Sequence, residues 1–202
     1  RVSSTSRGLG DVYKRQMPGM MDSILNIGLN DSNVSQLAEA FNDERFALDS
    51  YRRLIQMYSN VVLGVEHERF EAVLANKKRM DNVVSDADFN VDQLNWIINA
   101  YKNTVERFTD SLFPQEPYEQ LTGAIEAVFN SWQNKRAATY RKINNIPDSW
   151  GTGATIQTMV FGNLNDKSGT GVAFTRNPSN GDKELYGEYL INAQGELSLI
   201  HI

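Results

Sequence analysis

Two glycine-containing stretches have residue types that suit close contact with a ligand. One is SGTG, which includes Thr170 and Gly171, and the other is MPGMM, which includes Gly19 and Met21. Glycine permits a positive φ and a close approach of the backbone, and successive backbone N–H groups can form a nest that binds an anion such as phosphate. Simpler interpretations stay open for both stretches: a hairpin turn for SGTG, and for MPGMM a turn whose flexible methionines fill a core.

Few ionisable side chains stand out as candidates for chemistry. Arg176 follows a predicted strand and could meet a phosphate, but a surface salt bridge is an equal alternative. Glu188 falls on one face of an alternating strand whether or not a ligand is present. His67 lies in a charged helical stretch and is predicted to be solvated, and His201 lies close to the end of the sequence. We expect none of these side chains to be catalytic.

Composition narrows the classes of function. The chain has 202 residues, no cysteine and a formal net charge of −5. Without cysteine, disulfides, thiolate catalysis and cysteine-based zinc sites are excluded. The acidic balance argues against general nucleic-acid binding, and no apolar run approaches the roughly 18–20 residues that cross a bilayer. The composition is typical of a soluble globular protein, and the predicted location is the cytoplasm.

The apolar spacing between residues 34 and 145 predicts a helical block. Apolar residues recur there every three to four positions, as expected for helices that each bury one face. The predicted helices are centred on residues 34–41, 44–58, 66–80, 94–108, 118–132 and 136–143. Asn90 or Asp92 is predicted to cap the fourth helix, and Asp22 or Ser23 to cap a short helical turn that ends near Gly28.

A small antiparallel sheet is predicted after the helical block, so the expected fold class is α+β. The predicted strands lie near residues 154–162, 170–176 and 184–192. In the first of them Ile156, Thr158 and Val160 alternate with their neighbours, and this period of two is typical of a strand. The connections are rich in Asn, Asp, Ser and Gly, as turns are. Residues 148–153 are the predicted hinge between the two parts.

Several parts of the sequence resemble the nucleotide-binding domain of the pyruvate phosphate dikinase family. Residues 154–196 are very similar to it, and MPGMMDSILNIGLND at residues 17–31 resembles its signature loop. Within the helical block, FPQEPYEQLTGAIEAVFNSW and YRKINNIPDSWG also match. The resemblance covers about residues 17–196. It implies an incomplete ATP-grasp domain, with a helical part at residues 34–147 and a strand part at residues 153–196.

The resemblance also implies which residues bind ATP. The family holds adenine against a strand that offers a backbone N–H and C=O in a flat apolar slot, and it covers the phosphates with two loops. The matching residues are Gln157, Thr158, Met159 and Val160 on the adenine side, Thr170 and Gly171 over the phosphates, Gly19 and Met21 in the second covering loop, and Glu196 near the nucleotide. A carboxylate at Glu196 would bind ribose hydroxyls or support magnesium, whose other ligands are unknown.

The parent enzyme implied by the resemblance converts ATP, pyruvate and phosphate to AMP, phosphoenolpyruvate and pyrophosphate through a phosphohistidine. Its phosphohistidine and pyruvate/phosphoenolpyruvate domains would be the partners of this part, with ATP and magnesium as cofactors and a homo-oligomeric full-length form. The family also uses a lysine and an arginine before the MPGMM loop, and an acidic pair, a glutamine and an arginine after Glu196. This sequence has no matching positions, so we expect the chain alone to be inactive and to bind adenine nucleotides weakly at most.

Both ends of the sequence differ from what lies between them. Residues 1–16 are basic and lack apolar periodicity, and residues 197–202 begin where the resemblance stops. Both are predicted to be non-native tails, and a native basic arm is the alternative for the first. Two other functions stay open: a fragment of a related dikinase, such as phosphoenolpyruvate synthase or glucan, water dikinase, and a non-enzymatic helical module that binds a partner.

Overall fold

The computed structural model describes residues 20–193, which fall into two compact units. The first unit extends to Ile156 and contains the helices, and the second begins at Gln157 and contains the strands. Two of the predicted site residues, Gly19 and Glu196, lie outside the described residues. Within residues 20–193, no helix combines the length and the apolar character that crossing a bilayer requires.

The described residues of the first unit form six α-helices, close to the positions that the apolar spacing predicts. They are α1 (Val34–Phe41), α2 (Glu44–Val61), α3 (His67–Asp81), α4 (Val91–Thr109), α5 (Pro117–Ser131) and α6 (Lys135–Asn144), with a short 3-10 helix (Asp86–Asp88) between α3 and α4. Local signals set several bounds. Asp43 accepts a hydrogen bond from the Phe46 N–H at the start of α2, and Asn90 forms a capping box with Gln93 at the start of α4, which confirms Asn90 as the cap.

The core of the first unit lies along α2 and α4, with α1 packed on α2 and α3 packed on α4. Its largest fully buried side chains are Tyr51, Tyr58, Phe70, Phe89 and Tyr101. The rings of Phe70 and Tyr101 meet edge to face with their centroids 5.0 Å apart, which is a favoured aromatic geometry. Burying each such side chain contributes about 1.5–3 kcal/mol, so this cluster holds the helices together.

A buried ion-pair network sits at the middle of α2. Nε of Arg52 donates to Oδ1 of Asp49 and Nε of Arg53 donates to Oδ2 of the same carboxylate, each at 2.9 Å. The guanidinium of Arg52 also reaches Gln56 at 3.2 Å and the Asp86 carboxylate at 3.8 Å. Burial alone would raise the pKa of the Asp49 carboxyl, but Arg52 and Arg53 outweigh it and hold that pKa below its ordinary value.

Residues 20–33 precede α1 and form no regular secondary structure. The predicted helical turn capped by Asp22 or Ser23 is therefore wrong. Asn26 and Gly28 instead have positive φ angles of 62° and 102°. A right-handed helix cannot pass through left-handed residues, so the backbone turns here while apolar side chains of the segment pack against the main core.

In the second unit, the described residues form a two-stranded antiparallel hairpin, in which β1 (Gly169–Phe174) pairs with β2 (Tyr186–Ile191). These strands confirm two of the three predicted ones. The third prediction, a strand near residues 154–162, is wrong, because the structure assigns that segment no strand and pairs it with neither β1 nor β2. Ile156 and Val160 are 65% and 92% exposed, so the face of the alternation that they share is not buried.

Gly162 lies against the base of the hairpin. A Cβ placed on it would come within 2.0 Å of Thr170 Oγ1, 2.5 Å of the Ala193 carbonyl oxygen and 2.8 Å of the Gly169 carbonyl oxygen. The Thr170 hydroxyl donates to that same Ala193 oxygen at 2.6 Å. Only a residue without a side chain fits there, so Gly162 is required for close packing of the chain at this point.

The two arginines that bind Asp49 offer a matched pair of substitutions. We expect Arg52→Met to lower the free energy of unfolding by about 3 kcal/mol, because it leaves a buried carboxylate short of its buried partner. The Arg53 side chain is 40% exposed, so Arg53→Met should cost less than about 1 kcal/mol. Urea unfolding at pH 7 measures both values. Equal losses would contradict the assignment of the buried pair.

The same network predicts an acid sensitivity. The folded-state pKa of Asp49 is lowered, so its ionisation stabilises the fold above its unfolded-state pKa of about 4, and this contribution disappears as the pH falls through the folded-state value. Asp49→Asn removes the titrating group. We therefore expect the stability difference between the unaltered chain and Asp49→Asn to shrink between pH 5 and about pH 2 in urea unfolding, and a constant difference would contradict it.

Substitution at Gly162 tests the packing at the base of the hairpin. Gly162→Ala should lower the free energy of opening of β1 by about 1–3 kcal/mol, because the added methyl group overlaps the Thr170 hydroxyl and two carbonyl oxygens. Amide hydrogen exchange of β1 measures the effect. Gly151→Ala is the control, because a Cβ at Gly151 meets nothing within 4 Å. Unchanged exchange of β1 in Gly162→Ala would contradict this packing.

Candidate functional site

The described part of the MPGMM stretch lies at the junction of α5 and α6. The half-buried side chains of Met20 and Met21 pack against buried Trp132 and Ala137, and Tyr140 adds to the same small cluster. The Ser131 hydroxyl lies 4.0 Å from the Met21 sulfur. The two methionine side chains therefore do what the simpler interpretation of this stretch expects, and ligand contact by its backbone stays a prediction.

Polar contacts fix the same loop to the two helices. The Asp22 N–H donates to Ser131 Oγ at 3.3 Å, and Asn134 Nδ2 donates to Asp22 Oδ2 at 3.1 Å. Arg136 forms an ion pair with Asp22 and donates from Nε to the Met20 carbonyl oxygen at 3.2 Å. The roles of Ser131, Asn134 and Arg136 could not be predicted, because these residues lie more than a hundred positions from the loop, and the matching stretch that includes Ser131 does not indicate which of its residues the loop contacts.

The predicted adenine-side residues lie at the start of the second unit. Gln157, Thr158 and Val160 are exposed and Met159 is half-buried, in a segment without regular secondary structure. The four residues therefore do not form an enclosed apolar slot by themselves. The segment leads directly into Gly162, which packs beside Thr170, so the chain carries the adenine-side residues to the base of the hairpin.

Gly169, Thr170 and Gly171 lie inside β1 rather than in a connecting loop. Gly169 and Gly171 are not among the residues with positive φ, so the predicted anion-binding nest is not formed at SGTG. A Cβ on Gly171 would lie 3.0 Å from the Glu188 carbonyl oxygen of the opposite strand. These glycines serve close strand pairing, and a role of Thr170 and Gly171 in binding phosphate stays a prediction.

The remaining candidates are the charged and histidine side chains. Arg176 donates from Nη1 to the Gly181 carbonyl oxygen at 3.2 Å, inside the connection between the strands. Glu188 is exposed on β2, opposite Val172. The side chain of His67 is 54% exposed and lies 3.4 Å from Glu71, which agrees with a solvated histidine. His201, like Glu196, lies outside the described residues.

The described residues do not offer a metal site. Within residues 20–193 no group of three or more histidine, aspartate or glutamate side chains is placed to hold a metal ion. Asp22, which follows Met21 in the chain, is paired with Arg136, and the candidate Glu188 is exposed. These residues do not fit a magnesium ion as they stand, and no chemical step can be derived through one.

Comparison with known proteins gives a consistent result. The model of the family described as "Pyruvate phosphate dikinase, AMP/ATP-binding domain" matches residues 1–197. This range includes residues 1–16, so the interpretation of that segment as a non-native tail stays a prediction. The match covers the helices, the hairpin and all of the predicted ATP-binding residues.

Curated relatives point the same way. The chain is 54% identical over 183 residues to the pyruvate, phosphate dikinase of Rhizobium meliloti and 53% identical over 184 residues to that of Clostridium symbiosum, in each case over 91% of this chain. It is 52% identical over 180 residues, 89% of this chain, to the chloroplastic pyruvate, phosphate dikinase of Mesembryanthemum crystallinum. The aligned parts are 20%, 21% and 19% of these relatives, so the chain spans about a fifth of their length. The chain belongs to the family of pyruvate phosphate dikinase AMP/ATP-binding domains.

Proposed function

We propose that this chain forms part of the ATP site of a pyruvate phosphate dikinase. The observation that carries the proposal is the family match over residues 1–197, together with identity above half to named dikinases over nine tenths of the chain. Each of the three relatives named above is a pyruvate, phosphate dikinase, which favours this dikinase over related phosphotransferases. The helical unit also has its own buried core and caps, as a structural part of a larger domain does.

The proposed reaction of the whole enzyme is the conversion of ATP, pyruvate and phosphate to AMP, phosphoenolpyruvate and pyrophosphate through a phosphohistidine. In phosphoryl transfer the protein mainly positions the reactants and stabilises charge. In this chain, the backbone of residues 157–160 would hold adenine, and Thr170 and Gly171 would lie by the phosphates. Gly19 and Met21 would cover the phosphates from the other loop, and Glu196 would meet the ribose.

The chain alone is proposed to be inactive. The phosphohistidine and pyruvate/phosphoenolpyruvate domains of the full-length enzyme would supply the acceptor and the second half of the reaction. Magnesium belongs to the proposal through the resemblance alone, and we assign it no ligand and no step. A cytoplasmic location, a homo-oligomeric parent and the absence of nucleic-acid and membrane partners stay predictions of the sequence.

Titration of the 202-residue chain with magnesium and ATP tests the proposed site. We expect weak binding, and we expect Val160→Pro to weaken it about tenfold, because proline removes a backbone N–H worth about 1–1.5 kcal/mol. Val160 lies in no strand, so the substitution breaks no strand pairing. Calorimetry or equilibrium dialysis measures the dissociation constants.

Thr155→Pro is the matched control, because it makes the same change in the same irregular segment two positions before Gln157. Its affinity for ATP should equal that of the unaltered chain. If both proline substitutions weaken ATP binding equally, the proposed role of residues 157–160 in binding adenine is contradicted. No detectable binding of ATP by the unaltered chain at millimolar concentration would contradict the proposed ATP site itself.

A further inference from the structure

A single buried amide connects α5 to the loop that precedes the helices. Gln120 lies in the first turn of α5 and its side chain has no solvent exposure. Its Oε1 accepts a hydrogen bond from the Gly28 N–H at 2.8 Å, and its Nε2 donates to the Leu29 carbonyl oxygen at 3.0 Å and the Pro114 carbonyl oxygen at 2.8 Å. Both amide hydrogens are thus used, and two of the three bonds go to consecutive loop residues.

The residue that Gln120 holds has an unusual conformation. Gly28 has a φ of +102°, and a Cβ added to it would meet nothing within 4 Å. Glycine is favoured at this position because of the backbone conformation and not because of crowding. Asn33 Nδ2 donates to the Gly28 carbonyl oxygen at 2.7 Å. Both backbone polar groups of Gly28 are therefore bound by amide side chains, which fixes the chain where it reverses direction.

The same helix holds the other end of the loop. Ser131, the last residue of α5, accepts a hydrogen bond from the Asp22 N–H. Gln120 and Ser131 lie eleven positions apart, or about 16 Å along the helix axis. Residues 22–28 thus run along α5 in the opposite direction and are bound to it at both ends. A helix of this length is rigid, whereas the loop has no backbone ladder of its own.

We propose that α5 acts as a splint for residues 22–28, with Gln120 as the positioning residue that fixes their turn at Gly28 and so orients Met21 of the MPGMM loop, which directly precedes them. This inference rests on the proposed function, because it takes that loop to contact ATP. Gln120 acts through the loop and touches no substrate. Its effect on ATP therefore comes from holding the loop in one conformation, which removes an ordering step from binding.

Hydrogen exchange of the full 202-residue chain without nucleotide tests the splint. Gln120→Met keeps the length of the side chain and removes its three hydrogen bonds. We expect exchange of the amides of residues 22–29 to rise roughly tenfold or more, while α2 and α4 change little. Val105→Ala is the control for general destabilisation, because Val105 is fully buried in α4 and its apolar side chain makes none of the hydrogen bonds named above.

Ser131→Ala is a second, milder variant that removes the hydroxyl bound by the Asp22 N–H at the far end of the loop, together with its contact to the Met21 sulfur and its bond within α5 to the Val128 carbonyl oxygen. It should raise exchange at Asp22 more than at Gly28, because Gln120 still holds the turn. Uniformly faster exchange in Gln120→Met, at the level of Val105→Ala after matching their stabilities, would overturn the proposal. An increase in exchange that is confined to residues 22–29 would support the proposal.

Titration with magnesium and ATP supplies the readout that a merely structural role would not change. Gln120→Met should bind ATP about tenfold more weakly than Val105→Ala at matched stability, and equal affinities would overturn the positioning role. Absence of ATP binding by the unaltered chain would contradict the proposed function alone. The exchange comparison uses no nucleotide, so it decides whether α5 fixes the loop in either case.

Discussion

Backbone polar groups that leave water need partners, and this constraint shapes residues 20–33. The segment has no regular secondary structure, yet its apolar side chains pack against the helical core. Side-chain amides from elsewhere supply the missing partners: Gln120 binds the Gly28 N–H and the Leu29 carbonyl oxygen, and Gln115 Oε1 accepts from the Asp31 N–H. The contact between α5 and residues 20–33 follows from this requirement. A side-chain amide both donates and accepts hydrogen bonds, so it can bind backbone groups as a neighbouring strand would.

The helical unit could be predicted well because its signals are local. Apolar spacing locates each helix, and Asn90 caps α4 through a residue three positions away. The turns at Asn26 and Gly28 could not be predicted, since what favours them over a helical turn is a glutamine ninety-two positions later. The failed strand at residues 154–162 has a related cause. Alternation shows that a segment could form a strand, whereas strand formation requires a partner edge that the alternation does not specify.

Glycines of the second unit allow close strand pairing, although the sequence around them is typical of a phosphate-binding loop. SGTG has the composition of an anion-binding loop, but Gly169 and Gly171 lie in β1, where a Cβ added to either glycine would lie about 3 Å from a carbonyl oxygen of β2. Gly187 of β2 faces the Val172 carbonyl oxygen in the same way. Glycine-rich hairpins and glycine-rich phosphate loops share residue types because both bring backbone close to something. A glycine-rich composition therefore predicts that the backbone comes close to another group, but it does not show whether that group is a strand or a phosphate.

The buried carboxylate of Asp49 has a consequence for how this sequence can vary. Replacing either Asp49 or Arg52 alone leaves a buried charge without its main partner, whereas replacing both with apolar residues of similar volume removes the problem. A single substitution at either position therefore gives a destabilised protein. Among descendants of one ancestral sequence, the two positions should change together or not at all, and positions 49 and 52 should carry one shared evolutionary history rather than two.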